Sequence, residues 1–131
     1  MNLSQFEQFD LSPELLKALE KKGYSRPTAI QMEAIPAAME ERDVLGSAPT
    51  GTGKTAAFLL PALQHLLDYP RRKPGPPRIL VLTPTRELAM QVAEQAEELA
   101  QFTHLNIATI TGGVAYQNHG DVFNTNQDLV V

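Results

Sequence analysis

"SAPTGTGKTAAFLLPAL", residues 47–63, sets small and flexible residues against one lysine and then turns apolar. Leu59, Leu63, Leu66 and Leu67 recur at helical spacing, so a helix is expected from Lys54 to about Leu67, with Pro61 as a point of kinking. The preceding "DVLGSA", residues 43–48, reads as a short strand. Residues 48–55, "APTGTGKT", therefore lie at a strand-to-helix junction. They fit the phosphate-loop pattern of Ala or Gly, four residues, then Gly-Lys and Ser or Thr, with Ala48 where the stricter form has glycine. Such a loop curls its backbone so that successive N–H groups point inward at an anion. Gly51 and Gly53 permit positive φ and close approach, and the following helix N-terminus adds partial positive charge. Ala48, Pro49, Thr50, Gly51, Thr52, Gly53, Lys54 and Thr55 are thus the candidate cradle for a nucleoside triphosphate. Lys54 is expected to reach the β and γ phosphates, and the Thr55 hydroxyl to ligate Mg²⁺. A plain glycine-rich turn is the simpler alternative, and the motif alone leaves kinases, GTPases, transporters and helicases open.

Upstream, Ser12 and Pro13 open a short helix over 12–22, with Ser12 as a lone cap helped by Glu14, and Gly23 ends it. A second helix runs from about Pro27 to Glu40 with Ala29, Ile30, Ala34, Ile35 and Ala38 as its apolar stripe and Pro36 bending or dividing it. Downstream, "PRRKPGPP" (70–77) is a basic, proline-rich loop, and "RILVLT" (78–83) is a continuous apolar run expected to be a strand covered on both faces. Arg86 to Gln101 is expected to be helical, with Leu88, Val92, Ala96 and Leu99 inward and Glu94, Glu97 and Glu98 in water. "NIATI" (106–110) is a further strand, 114–124 a loop with a short helix, and "DLVV" (128–131) another strand. Alternation of strand and helix implies an α/β domain with a parallel sheet and right-handed crossovers.

The 131 residues suffice for about one domain, with 43% apolar and 20% charged residues. A formal charge of -4 argues against gripping nucleic acid by bulk positive charge, though not against directed contacts from backbone and helix ends. The basic run Arg71–Arg72–Lys73 reads as a solvated loop. Cysteine is absent, so disulfides and thiolate metal sites are excluded. His65, His104 and His119 share no metal-ligand spacing. No signal peptide opens the chain, and no apolar run approaches the roughly 18 residues a membrane helix needs, which points to a soluble cytoplasmic protein.

Three further stretches are ordinary when taken alone: "GYSRPTAIQ" (23–31), "PTRELA" (84–89) and "TGG" (111–113). In this order around "APTGTGKT" they resemble the DEAD-box family of ATP-dependent RNA helicases, as its Q motif, motifs Ia and GG, and motif I respectively. The resemblance covers nearly the whole chain and is strongest to a bacterial branch associated with assembly of the large ribosomal subunit. It implies a phosphate-loop NTPase domain of the RecA-like kind, with a mostly parallel sheet flanked by helices and incomplete at its C-terminus. It divides the chain into a helical Q-motif segment, 1–40, and a partial ATP-binding domain, 41–131. It implies ATP and Mg²⁺ as cofactors, and RNA, with pre-ribosomal particles, as partner.

The resemblance also assigns roles. Gln31 would read the N6 and N7 edge of adenine with its amide, favouring ATP over GTP. Phe6, 17 residues before Gly23, would stack on the base, with Phe9 the competing aromatic. Arg26 would lie beside the base and Thr28 would brace the phosphate loop. Pro84, Thr85 and Arg86, with Gly112 and Gly113, would contact the RNA backbone without reading its sequence. The family's D-E-A-D carboxylates, its S-A-T motif and its second RecA-like domain have no counterpart in these residues. The sequence therefore reads as an N-terminal fragment of a helicase, inactive alone, with an open apolar sheet edge, marginal stability and a tendency to aggregate. Two other classes compete: a small-molecule kinase built on the same loop, and a non-catalytic module that binds a nucleotide or a protein.

Overall fold

A computed structural model describes residues 5–48, 53–70, 75–110 and 127–131. Pro49–Thr52 of the phosphate loop, Arg71–Pro74 of the basic loop, and 111–126 with the GG motif and the expected short helix lie outside the described residues. In chain order the elements are a 3-10 helix (Gln5–Phe9), α1 (Pro13–Lys21), α2 (Ala29–Met39), α3 (Lys54–Asp68), β1 (Ile79–Leu80), α4 (Arg86–Leu99), β2 (Ile107–Ala108) and β3 (Leu129–Val130).

Local rules account for the helix ends. Gly23 takes φ +80, so its own N–H returns to the Glu20 carbonyl and that of Tyr24 to the Leu19 carbonyl. That turn stops α1 and starts the Q-motif stretch. The end of α2 uses the same turn with Glu41 at φ 63, a conformation that costs a non-glycine residue about 1 kcal/mol. Pro36 and Pro61 lie inside α2 and α3, and neither divides its helix.

The three strands form a parallel sheet in the order β1-β3-β2. β3 is central, with Leu129 opposite both Ile79 and Ile107. The Asp128 carboxylate accepts the Asn106 N–H at 2.8 Å and sets the register where β2 and β3 begin. One core, built from Leu15, Leu19, Ile35, Leu59, Leu63, Val92, Leu99 and Leu129 among others, joins all four α-helices to the sheet. Burying each large aliphatic side chain contributes about 1.5–3 kcal/mol.

Four expectations are corrected. Residues 43–48 form no strand, and Leu45 is fully exposed there. A ladder needs a partner edge, and the described strands pair only with one another. Second, "RILVLT" is covered on one face: Ile79 and Val81 meet the core, while Leu80 and Leu82 are 68% and 84% exposed. The described helices cover one side, and strand alternation sends the even positions to the other. The strand buried deepest is β3 instead. Third, Leu88 is exposed, and the inward stripe of α4 is Ala89, Val92, Ala93, Ala96 and Leu99. Fourth, Ser12 occupies the cap position of α1 but its hydroxyl makes no cap bond. Its N–H is instead held by Gln64 Oε1 on α3, at 2.7 Å.

Candidate functional site

The described part of the phosphate loop is its exit, where the chain becomes α3. Gly53 is the cap residue of α3, at φ +84, so the cap position carries no side chain to bond the helix N-terminus. The first-turn N–H groups receive no bond from the cap residue, the arrangement that suits an anion. Lys54 is the first helical residue and is exposed, and Thr55 follows it half-buried.

Gln31 decides what lies beside this helix end. It stands in the first turn of α2 and is only 3% exposed. Its Oε1 accepts the Thr28 N–H at 2.9 Å, and its Nε2 donates to the Gly53 carbonyl at 3.1 Å. That carbonyl also accepts the Ala57 N–H at 3.1 Å, so the last loop residue is tied at once to α3 and to the Q-motif helix. The amide has two donor hydrogens and two acceptor lone pairs, and these bonds use one of each. The Thr28 hydroxyl faces the Gln31 N–H as in a capping box but falls short of hydrogen-bond geometry. It is buried without a partner. A Cβ built on Gly53 would lie 2.3 Å from Gln31 Nε2 and 3.3 Å from Thr28 Oγ1, so only glycine fits. A helix N-terminus with glycine at its cap and an exposed lysine in its first position are donors of the kind a polyphosphate requires, and the described residues fit that group. Among the described residues no cluster of three His, Cys, Asp or Glu side chains could hold a metal ion.

Of the other expected site residues, Ala48 is half-buried at the loop entrance and Arg26 is exposed. Phe6 is 1% exposed and meets Phe9 edge to face, with ring centroids 6.1 Å apart. Its ring offers no open face to a base while the 3-10 helix stays where it is. Pro49, Thr50, Gly51, Thr52, Gly112 and Gly113 lie outside the described residues.

Thr85 and Arg86 sit together at the N-terminus of α4, as expected, with Pro84 before them and all three exposed. Thr85 Oγ1 accepts the Leu88 N–H at 3.1 Å, so this helix end, unlike that of α3, carries its own cap. Thr85→Ala is expected to destabilise the chain by about 1 kcal/mol in urea unfolding. An unchanged unfolding midpoint would mean the cap contributes nothing.

Sequence reasoning missed Gln64. It is 4% exposed within the leucine face of α3, accepts the Ser12 N–H, and donates to Asp68 Oδ1 at 2.8 Å. Its only sequence signal is a polar residue at a position whose helical neighbours Leu60, Leu63 and Leu67 are apolar.

The DEAD/DEAH box helicase family matches residues 28–131, from Thr28 of the capping turn through the end of β3. The chain belongs to this family. It is 99% identical over its full length to the ATP-dependent RNA helicase SrmB of Haemophilus influenzae and 70% identical to that of Escherichia coli. It spans 30% of the length of each. These likenesses place it on the SrmB branch of the DEAD-box proteins. Its fold matches the whole of this chain to 32% of the RNA helicase Prp28 from Chaetomium thermophilum, solved bound to ADP, at 35% identity and a TM-score of 0.84. The yeast DEAD-box splicing factor Prp28 matches with a TM-score of 0.85 at 27% identity. The α/β, RecA-like architecture expected from the sequence is therefore that of the DEAD-box proteins. No helix among the described residues is long and apolar enough to cross a membrane.

Proposed function

We propose that these residues are part of an ATP-dependent RNA helicase, holding one half of its ATP site and one contact to RNA. Residues 1–40 supply the Q-motif segment and 41–131 the start of the ATP-binding domain. The observation that carries this reading is the bond from Gln31 to the Gly53 carbonyl. It sets a purine-reading amide directly against the loop that would hold the phosphates. The spare donor and acceptor of Gln31 suit adenine, whose N6–H and N7 offer the complementary pair, and not guanine, whose O6 only accepts. Lys54 and the first N–H groups of α3 hold negative charge at the β and γ phosphates. Thr55 would hold Mg²⁺ through its hydroxyl, and the ion would supply neutralisation of phosphate charge. Stacking by Phe6 entails movement of the 3-10 helix, because its ring is buried. Thr85 and Arg86 bind an RNA phosphate through the helix N-terminus and guanidinium, so the contact is indifferent to sequence. Pre-ribosomal particles as partners and the cytoplasm as the compartment complete the proposal.

The test compares this chain with a polypeptide of the relatives' full length that carries it. ATP hydrolysis is expected only in the full-length form, and to rise with single-stranded RNA. Phosphate transfer to a metabolite without RNA stimulation would replace this reading with the kinase one.

A further inference from the structure

α3 is 15 residues long, so its C-terminus lies about 22 Å from the candidate cradle at its N-terminus. At that far end the rings of His65 and Tyr69, one helical turn apart, pack with centroids 4.9 Å apart. Both residues are exposed, Tyr69 to 57%. Arg78, also exposed, reaches the same place from the position before β1. Its guanidinium donates to the Tyr69 carbonyl and, at 3.4 Å, to the Leu66 carbonyl. The carbonyls of a helix C-terminus repel anions, and an arginine bonded to them reverses that sign. The neighbouring acid in sequence, Asp68, has its carboxylate bonded by the Gln64 amide at 2.8 Å. From Tyr69 to Arg86 the sequence holds five cations, Arg71, Arg72, Lys73, Arg78 and Arg86, and no acid, in a chain of net charge -4. Such a stretch attracts phosphate where the chain as a whole does not.

We propose that His65, Tyr69 and Arg78 form a second contact for RNA: a base stacks on the exposed ring pair, and its phosphate meets the Arg78 guanidinium. This rests on the reading of the protein as an RNA helicase and extends it to a face remote from Thr85 and Arg86. Arg78 precedes β1 and Thr85 follows it, so the two contacts stand about 20 Å apart along that strand. A short RNA touches one of them and a longer RNA both. A ring stacks on any base and a guanidinium bonds any phosphate, so the second contact is also indifferent to sequence. The rings favour RNA over an acidic peptide, whose carboxylates have no π-face to stack.

The experiment measures binding of two uridine oligomers, of about 5 and about 20 nucleotides, to the full-length form. Tyr69→Ala and His65→Ala are each expected to weaken the longer oligomer by about five- to tenfold, the loss on removing a stacking ring, and to leave the shorter unchanged. Tyr69→Phe keeps the ring and is expected to bind as the parent does. Arg78→Gln is expected to lower the salt dependence of the longer oligomer by about one phosphate contact. Arg86→Ala, the control for the first contact, is expected to weaken both oligomers. Undiminished binding of the longer oligomer by both alanine variants would overturn the proposal. Equal losses for the two oligomers in Tyr69→Ala would do so too, because they mark a general disturbance of the fold. Binding of polyglutamate that Arg78→Gln abolishes, with RNA binding intact, would assign the patch to an acidic protein instead. If neither oligomer binds the parent, the RNA-helicase reading itself fails and the proposal falls with it.

Discussion

Lys54→Ala in the full-length form is expected to lower ATP turnover by about 10²–10³-fold, the usual loss when one preorganised charge is removed from a reacting phosphate. The argument rests on position. Lys54 is the first residue of α3, exposed, at a helix end whose cap residue is a glycine. A cation there adds its field to that of the helix N-terminus, and both act where charge accumulates on the β and γ oxygens. Protein stability should hardly change, because an exposed lysine makes little of the core. Rate loss with an unaltered unfolding curve is therefore the expected signature. A turnover within a few-fold of the parent would remove Lys54 from the site.

Gly53→Ala is expected to be the most damaging small substitution, costing about 3 kcal/mol in urea unfolding of this chain. Two terms contribute. Alanine at φ +84 carries left-handed strain of about 1–2 kcal/mol. Its Cβ would also lie 2.3 Å from Gln31 Nε2, which forces the amide away from the Gly53 carbonyl and the Thr28 N–H. Each lost bond costs about 0.5–1.5 kcal/mol. Gly23 supplies the control: its φ is +80, and a Cβ there meets nothing within 4 Å. Gly23→Ala should show the strain alone. Equal losses at both glycines would mean that the contact between Gln31 and Gly53 carries no weight.

What the sequence made legible was local or chemically unusual. Gly23 as a helix stop, Thr85 as a cap, and the span of α3 follow from rules acting within one turn of chain. Glycines and a lysine ahead of an apolar helix marked the candidate phosphate loop, of which the structure describes the exit, Gly53 and Lys54. Strands were less so, because their state depends on partners far along the chain. "DVLGSA" has the composition of a strand and no ladder to join, and "RILVLT" has apolar residues on both faces and cover for one. The seat of α1 was hidden for the same reason: the Ser12 hydroxyl makes no cap bond, and the Ser12 N–H is held by Gln64, 52 residues away. The family resemblance proposes Gln31 as a purine reader. That the same amide fastens the phosphate loop to α2 emerged only when the two segments were seen side by side.

The most direct measurement is a crystal structure of the full-length form with an ATP analogue and Mg²⁺. The polyphosphate is expected against the N-terminus of α3, within reach of Lys54 and Thr55, with the adenine edge on Gln31 while its bond to Gly53 persists. A nucleotide bound elsewhere, leaving Gln31 and the α3 N-terminus without contact to it, would contradict the account.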